Sequence, residues 1–319
     1  MPSKTLSALA MLLGAAILSA QPQPLDQATI RRWMQELSSW GRWGKDDQMG
    51  TINLITPAKR RSAAALVREG FTVSLSRDTD TAKSADNPVP FGHAMVPNPM
   101  FGMDTYTMRY HNQSTTHLDS LSHMYVDGTM YNGFKQPEIT ADGAQKLAVT
   151  AFRNGLVSRG ILMDIARLKG VKYLENGTAI LPADFEAWEK KTGIKVGPGD
   201  IVFVRAGHWV RRAEKGPWDS ETGAAGMHPS CARWFKQRDV AMIGSETHGE
   251  VMPAPIAGVP FPLHQLLLVA MGMPMLDNCD LDALASAAAA RNRWEFLVMA
   301  SPLAVPRGTG SPLNPIAVF

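Results

Sequence analysis

The stretch Gln113-Ser114-Thr115-Thr116-His117-Leu118-Asp119-Ser120-Leu121-Ser122-His123 gathers an amide, two imidazoles and a carboxylate. In an extended segment side chains repeat every second position, so Gln113, His117 and Asp119 point to one side and can converge on a cation. His nitrogen and Asp oxygen are ordinary ligands of zinc and manganese, and a neighbouring imidazole can move a proton. An unbroken strand from Gln113 would carry His123 roughly 33 Å away, beyond any shared site. A helical turn capped by Asp119 or Ser120 sets Asp119 and His123 four apart on one face, so the spacing predicts a strand-to-helix corner. On spacing alone the same residues also suit a polar loop whose Ser and Thr cap a helix.

The elements on either side must position this corner. Residues 26–40 carry Ile30, Trp33, Met34 and Leu37 at helical spacing. A loop with three glycines follows over 40–53, and its Trp40 and Trp43 are candidates for the wall of a pocket that takes a flat, apolar substrate. Thr56-Pro57 starts a helix at the favoured cap and first positions. A strand is expected over 71–76, and the Pro-rich run 87–101 reads as a surface loop or lid. Alternation over 103–111 predicts the strand that delivers the chain into the motif, with His111 near its end.

Downstream, helices over 145–152, 182–192, 262–272 and 281–293 alternate with strands over 160–165, 200–205, 240–244 and 294–305, and a further helix begins at His228-Pro229-Ser230. That alternation predicts a single α/β domain with a mixed β-sheet and functional side chains at strand ends. No break in composition separates a second domain.

Lys4 precedes an apolar run, Leu6 to Leu18, that closes on Ser19-Ala20, which reads as a secretory leader over 1–20 and a periplasmic or secreted mature chain over 21–319. No later apolar stretch is long enough to span a bilayer. A net charge of +3, dispersed along the chain, argues against nucleic acid or an anionic membrane as partner and leaves a small-molecule substrate. Cys231 and Cys279 lack the spacing of a zinc site, and their separation does not establish a disulfide.

The segment Thr116-His117-Leu118-Asp119-Ser120-Leu121-Ser122-His123 resembles the end of His-x-Gly-Thr-His-x-Asp-x-x-x-His, the hallmark of the cyclase family of metal-dependent hydrolases, which includes kynurenine formamidase and isatin hydrolase. The resemblance continues in residues 40–57, in the strand Gly199-Asp200 to Gly207, and in His264 followed by Gly272 to Asn278. It implies a swivelling β/β/α fold, a homodimer or homotetramer, His117 and Asp119 as metal ligands, His123 as the proton-transfer residue, and His264 as a later histidine at the metal. Two positions depart from the pattern. Gln113 stands where the first hallmark His is expected, and Asp277 where some members have Glu. A Gln carbonyl oxygen is a harder, weaker donor than imidazole, which favours one divalent ion, Mn2+ or Zn2+, over a two-zinc site, unless His111 restores the missing nitrogen.

The activity expected is hydrolysis of an amide or cyclic amide on an aromatic substrate, such as an N-formyl arylamine or an isatin-like lactam. Two alternatives stay open: a polyketide-type cyclase or dehydratase on the same fold, and a non-catalytic exported binding protein whose metal site has decayed at Gln113.

Overall fold

The apolar runs of the sequence become the middle of a nine-stranded mixed sheet in the computed structural model, which describes residues 25–319. The expected leader lies outside the described residues. Numbered along the chain, the strands used below are β1 (Thr72–Ser74), β2 (Gly92–Val96), β3 (Met103–Thr107), β4 (His117–Asp119), β5 (Leu156–Asp164), β6 (Ile201–Arg205), β7 (Met242–Ser245), β8 (Met275–Asp277), β9 (Glu295–Ala300), β10 (Gly310–Pro312) and β11 (Ile316–Val318). The sheet runs β1-β11-β9-β5-β6-β7-β8-β4-β10. Its centre, β5 to β8, is parallel, and the flanks are antiparallel. Ile201 to Val204 and Met242 to Ser245 are all buried, as expected of parallel strands covered on both faces.

The helices start and stop at recognisable caps. Helix α1 (Gln27–Glu36) is capped by Asp26, which accepts from the Thr29 amide, and α2 (Pro57–Ala64) by Thr56, with Pro57 inside its first turn. Helix α3 (Pro182–Thr192) ends at Gly193 in the left-handed conformation, as its sequence predicts. A short helix, α4 (Pro262–His264), runs on into a π-helix over Gln265–Met271 whose residues Leu266 to Met271 are all buried. A helix apolar all round belongs in the core, and this one packs against α1.

Several local expectations give way to identifiable chemistry. The helix expected over 145–152 shrinks to a 3-10 turn, Val149–Phe152, because Leu147 takes a positive φ of 60° that no helix accommodates. The Pro-rich run contains β2, which pairs with β3 as a separate two-stranded hairpin. β3 stops at Thr107, short of His111. Cys231 and Cys279 are buried and free.

The Trp40 loop is a brace for the π-helix. The Trp40 indole donates to the Val269 carbonyl at 2.7 Å, the Ser39 amide donates to Ala270 O, and the Thr51 amide donates to Gly272 O. Gly50 makes this approach possible: its φ is +56°, and a Cβ there would sit 1.9 Å from Gly272 O. Gly50→Ala is therefore expected to cost about 3 kcal/mol of folding stability with an unchanged denaturant slope, read from urea melts monitored by tryptophan fluorescence.

Candidate metal and catalytic site

Strand β4 is three residues long and sits between β8 and β10, with His117 opposite Asp277 and Asp119 opposite Met275 and Gly310. Leu118 is fully buried in the core, so alternation turns His117 and Asp119 to the other face together. Both are nearly inaccessible. They form the floor of a cavity of about 450 Å³ that His123, His111, His264 and Asp277 also line.

The central group is the Asp119 carboxylate. His111 Nδ1 lies 3.0 Å and His117 Nε2 3.5 Å from its Oδ1, while His123 Nε2 lies 3.6 Å and His264 Nε2 3.8 Å from its Oδ2. Despite these four imidazoles, neither oxygen accepts a well-aligned hydrogen bond. A buried carboxylate left this way is costly unless a cation completes it. Burial pushes the Asp119 acid up, but His123, His111 and His117 outweigh it and hold the carboxyl well below the usual carboxylate range. Asp277 repeats the pattern: its Oδ1 is buried without a partner, and its Oδ2 lies 3.7 Å from His264 Nε2.

Two of the imidazoles are oriented for coordination by the hydrogen bond on their other nitrogen. His117 Nδ1 lies 2.8 Å from the Thr115 carbonyl, so it must donate, and the Nε2 lone pair faces Asp119. His264 Nδ1 lies 2.7 Å from Glu250 Oε1. The same Glu250 carboxylate accepts the Leu263 and His264 amides at the start of α4, so one acid fixes both the helix end and the ring. Burial opposes a charge on His264, yet Asp277 and Glu250 outweigh it and raise the ring well above the ordinary histidine range.

Among the described residues, two groups of donor atoms are close enough to hold a divalent ion, His111, His117 and Asp119, and Asp119, His264 and Asp277. The residues fit such an ion. The donors are imidazole nitrogens and carboxylate oxygens, the carboxylates lack other partners, and two rings have their tautomers set from behind.

Of the residues singled out in the sequence, His117, Asp119, His123 and His264 come together here. Gln113 lines the cavity, but its amide is engaged at both ends. Its Oε1 accepts from the Ser220 amide at 2.7 Å and from Ser220 Oγ at 3.0 Å, and its Nε2 donates to Asp219 at 2.7 Å. The extended register from Gln113 to Asp119 fails because Asn112 Oδ1 accepts the Ser114 and Thr115 amides, an Asx turn that bends the chain. That bend delivers His111 to Asp119 in place of Gln113. Nor does a helix follow Asp119. A single turn closed by the His123 amide on Ser120 O brings His123 back, while Ser120 Oγ bonds to Thr309 O.

Trp40 and Trp43 do not line the cavity. Trp40 is held on Val269 O, and Trp43 lies under the Arg42 guanidinium at 4.8 Å, with Arg42 itself bonded to Asp239. The apolar wall comes from Pro88, Val89, Met124 and Phe261. Of the outlying residues, His248 lines the cavity edge-on to Phe261, whereas His208 packs between Trp209 and Trp218 and His228 bonds locally to Ser230. Glu246 accepts the Ala206, Gly207 and His208 amides and so caps the helix His208–Lys215. Asp164 accepts the Arg167 amide and pairs with Arg205.

Sequence reasoning missed Gly310. A Cβ there would stand 2.4 Å from Leu118 O and 2.9 Å from His111 Cε1, so the absence of a side chain is what lets His111 lie over β10. It also missed Glu250, which stands eleven residues before Phe261 and reaches the Leu263 and His264 amides only through the fold.

Comparison with known proteins agrees with this fold. The Cyclase family model matches residues 40–250, and the chain belongs to that family. A crystal structure of a novel cyclase is 32% identical, with a TM-score of 0.79 over 89% of this chain and 98% of that one. An isatin hydrolase bound to the product analogue thioisatinate shares the fold at 19% identity, with a TM-score of 0.56 over 82% of this chain and 95% of that one. Isatin hydrolase A from Ralstonia solanacearum does so at 18% identity, with a TM-score of 0.57 over 83% and 98%. No curated protein matches the sequence.

If His264 is a ligand, Glu250→Gln removes the charge behind its ring while keeping an acceptor. Affinity for added Mn2+ or Zn2+ is then expected to fall about 10-fold to 100-fold in a competition titration against a chromophoric chelator. An unchanged affinity would show that His264 does not bind the ion.

Proposed function

We propose that this protein is a metal-dependent amidohydrolase that opens a C–N bond other than a peptide bond, in an aromatic amide or cyclic amide such as an N-formyl arylamine or an isatin-like lactam. The observation that carries the reading is the buried Asp119 carboxylate, without hydrogen bonds and faced by four imidazoles at the floor of a partly apolar cavity. His111, His117 and Asp119 would hold a divalent ion, with His264 and Asp277 on the opposite side of the same carboxylate. In this reading His111 supplies the nitrogen that Gln113 lacks, which supports a working metal site over a decayed one. When bound, such an ion supplies Lewis acidity toward a carbonyl oxygen and toward water.

The chain's own residues do the rest. Pro88, Val89, Met124 and Phe261 offer an apolar wall against which a flat ring can lie, with its carbonyl toward Asp119. His123 is the proton carrier: it borders the cavity, its ring stacks on His111 at 4.1 Å, and its Nε2 is directed to the Asp119 side. Burial pushes its imidazole down to about 4 against the opposing pull of Asp119, so it is neutral near pH 7 and ready to accept a proton. It takes that proton from the attacking water and returns it to the leaving nitrogen, so that oxygen joins the carbonyl carbon and hydrogen the amine.

His123→Ala is expected to retain the metal, counted by elemental analysis, while turnover of isatin or of an N-formyl arylamine falls about 10²-fold to 10⁴-fold. His111→Ala is expected to lower metal content far more than Gln113→Ala. Full activity in His123→Ala, or an inert enzyme across the whole amide panel after loading with manganese or zinc, would overturn the assignment.

A further inference from the structure

Of the residues that line the cavity, three bury a polar side-chain atom that has no hydrogen-bond partner among the described residues: Asp119, Asp277 and His248. A divalent ion answers the two carboxylates. It does not answer His248, which belongs to neither group of donor atoms able to hold one. A buried polar atom left bare is costly, so the His248 Nδ1 calls for a partner of another kind.

The bond on the far side of the ring decides what that partner is. His248 Nε2 lies 3.4 Å from the Ser220 carbonyl oxygen, which can only accept, so Nε2 carries the proton. Burial holds the ring below the ordinary histidine range against the pull of Glu250 and Asp277, so near pH 7 it has that one proton only. Nδ1 is therefore a lone pair, and what it lacks is a donor.

Gln113 arranges this from one step away. Its Oε1 accepts the Ser220 amide and hydroxyl, which fixes the residue whose carbonyl meets His248. Its Nε2 donates to Asp219, whose Oδ1 also accepts the Glu221 amide and so holds the turn 219–222 together. The backbone beside the ring is pinned as well: Thr247 O accepts the Asn278 amide at 3.2 Å and Gly249 O the Met227 amide at 2.8 Å. A ring held in this way is preorganised for a ligand.

Phe261 ties His248 to the cavity floor. Its ring meets His248 and His264 edge-on, each at 5.6 Å between centroids. Its backbone sits at φ 47° and ψ 54°, where a bulky side chain is strained, and strain of this kind collects at ligand sites. A flat substrate lying against Phe261 has both imidazoles as neighbours.

We infer that His248 is a specificity-determining residue that accepts the N–H of the scissile amide, and that Gln113 positions it through Ser220. The inference rests on the proposed hydrolysis and narrows its substrates. Secondary amides and N–H lactams satisfy Nδ1, whereas N-alkylated amides and esters leave it bare and are disfavoured.

Paired substrates test it: isatin against N-methylisatin, and formanilide against N-methylformanilide, with protein loaded with manganese or zinc. In the wild type kcat/KM is expected to favour the N–H member of each pair by about 10-fold to 100-fold. His248→Phe keeps a ring beside Phe261 but no acceptor. It is expected to cut that preference about 10-fold, chiefly through a higher KM for the N–H substrate, with metal content unchanged by elemental analysis. His248→Asn, which returns an acceptor, is expected to restore part of the preference. Gln113→Ala is expected to weaken it in the same direction without loss of metal, and an unmoved ratio there overturns the positioning role of Gln113. A preference that survives His248→Phe in active enzyme overturns the inference and leaves the hydrolysis standing, as does a wild type that takes both members of each pair alike. An enzyme inert on every pair overturns the hydrolysis itself, and this inference with it.

Discussion

A carboxylate taken out of water without a hydrogen bond is the constraint around which this molecule is arranged. Asp119 is about 1% exposed, and its two oxygens are left to the electrostatic company of four imidazoles. In a buried setting such a charge costs several kcal/mol unless it is compensated. Compensation comes from rings drawn from three parts of the chain: His111 and His117 ahead of it, His123 behind it, and His264 from the π-helical segment. The arrangement is stable only because each ring is held from its far side or by its neighbours.

Those supports explain why distant elements matter to a three-residue strand. The Thr115 carbonyl that orients His117 also accepts Asn278 Nδ2, so the end of β8 is tied to the entrance of β4. Glu250 couples the ring of His264 to the first turn of its helix. The far end of that helical segment is anchored by Trp40, Ser39 and Thr51. The Trp40 indole thus contributes to the site mechanically, through the helix that bears His264, and not by lining the cavity.

The fold was largely legible where periodicity and punctuation coincide. Helix α3 with its Leu-Pro start and Gly193 stop, the Thr56-Pro57 cap, and the buried parallel strands all follow from side-chain spacing and terminal residues. His117, Asp119 and His123 were legible because their chemistry is concentrated in a short stretch. What escaped depended on geometry that spacing does not carry. Asn112 bends the backbone by bonding to two amides, so that His111 and not Gln113 reaches Asp119, and a period-two reading has no means of registering an Asx turn. Gly310 matters only because of what lies above it in space, nearly two hundred residues earlier. The hairpin strands were hidden among prolines that mark a loop on composition, yet the prolines fall outside the paired residues.

Leu118 joins folding and chemistry in one register. Sliding β4 by a single residue would expel Leu118 from the core and drive His117 and Asp119 into it, so the inner reaction centre cannot be adjusted gradually. The outer wall has the opposite character. Pro88 and Val89, Met124, Glu221 and Phe261 come from four separate loops, none of which shares a strand with the central carboxylate. Insertions and exchanges there leave the β4 pairing untouched. Descendants of such a chain are thus free to change what they accept while conserving how they act on it, and a library that diversifies those loops samples new substrates without first having to rebuild the fold.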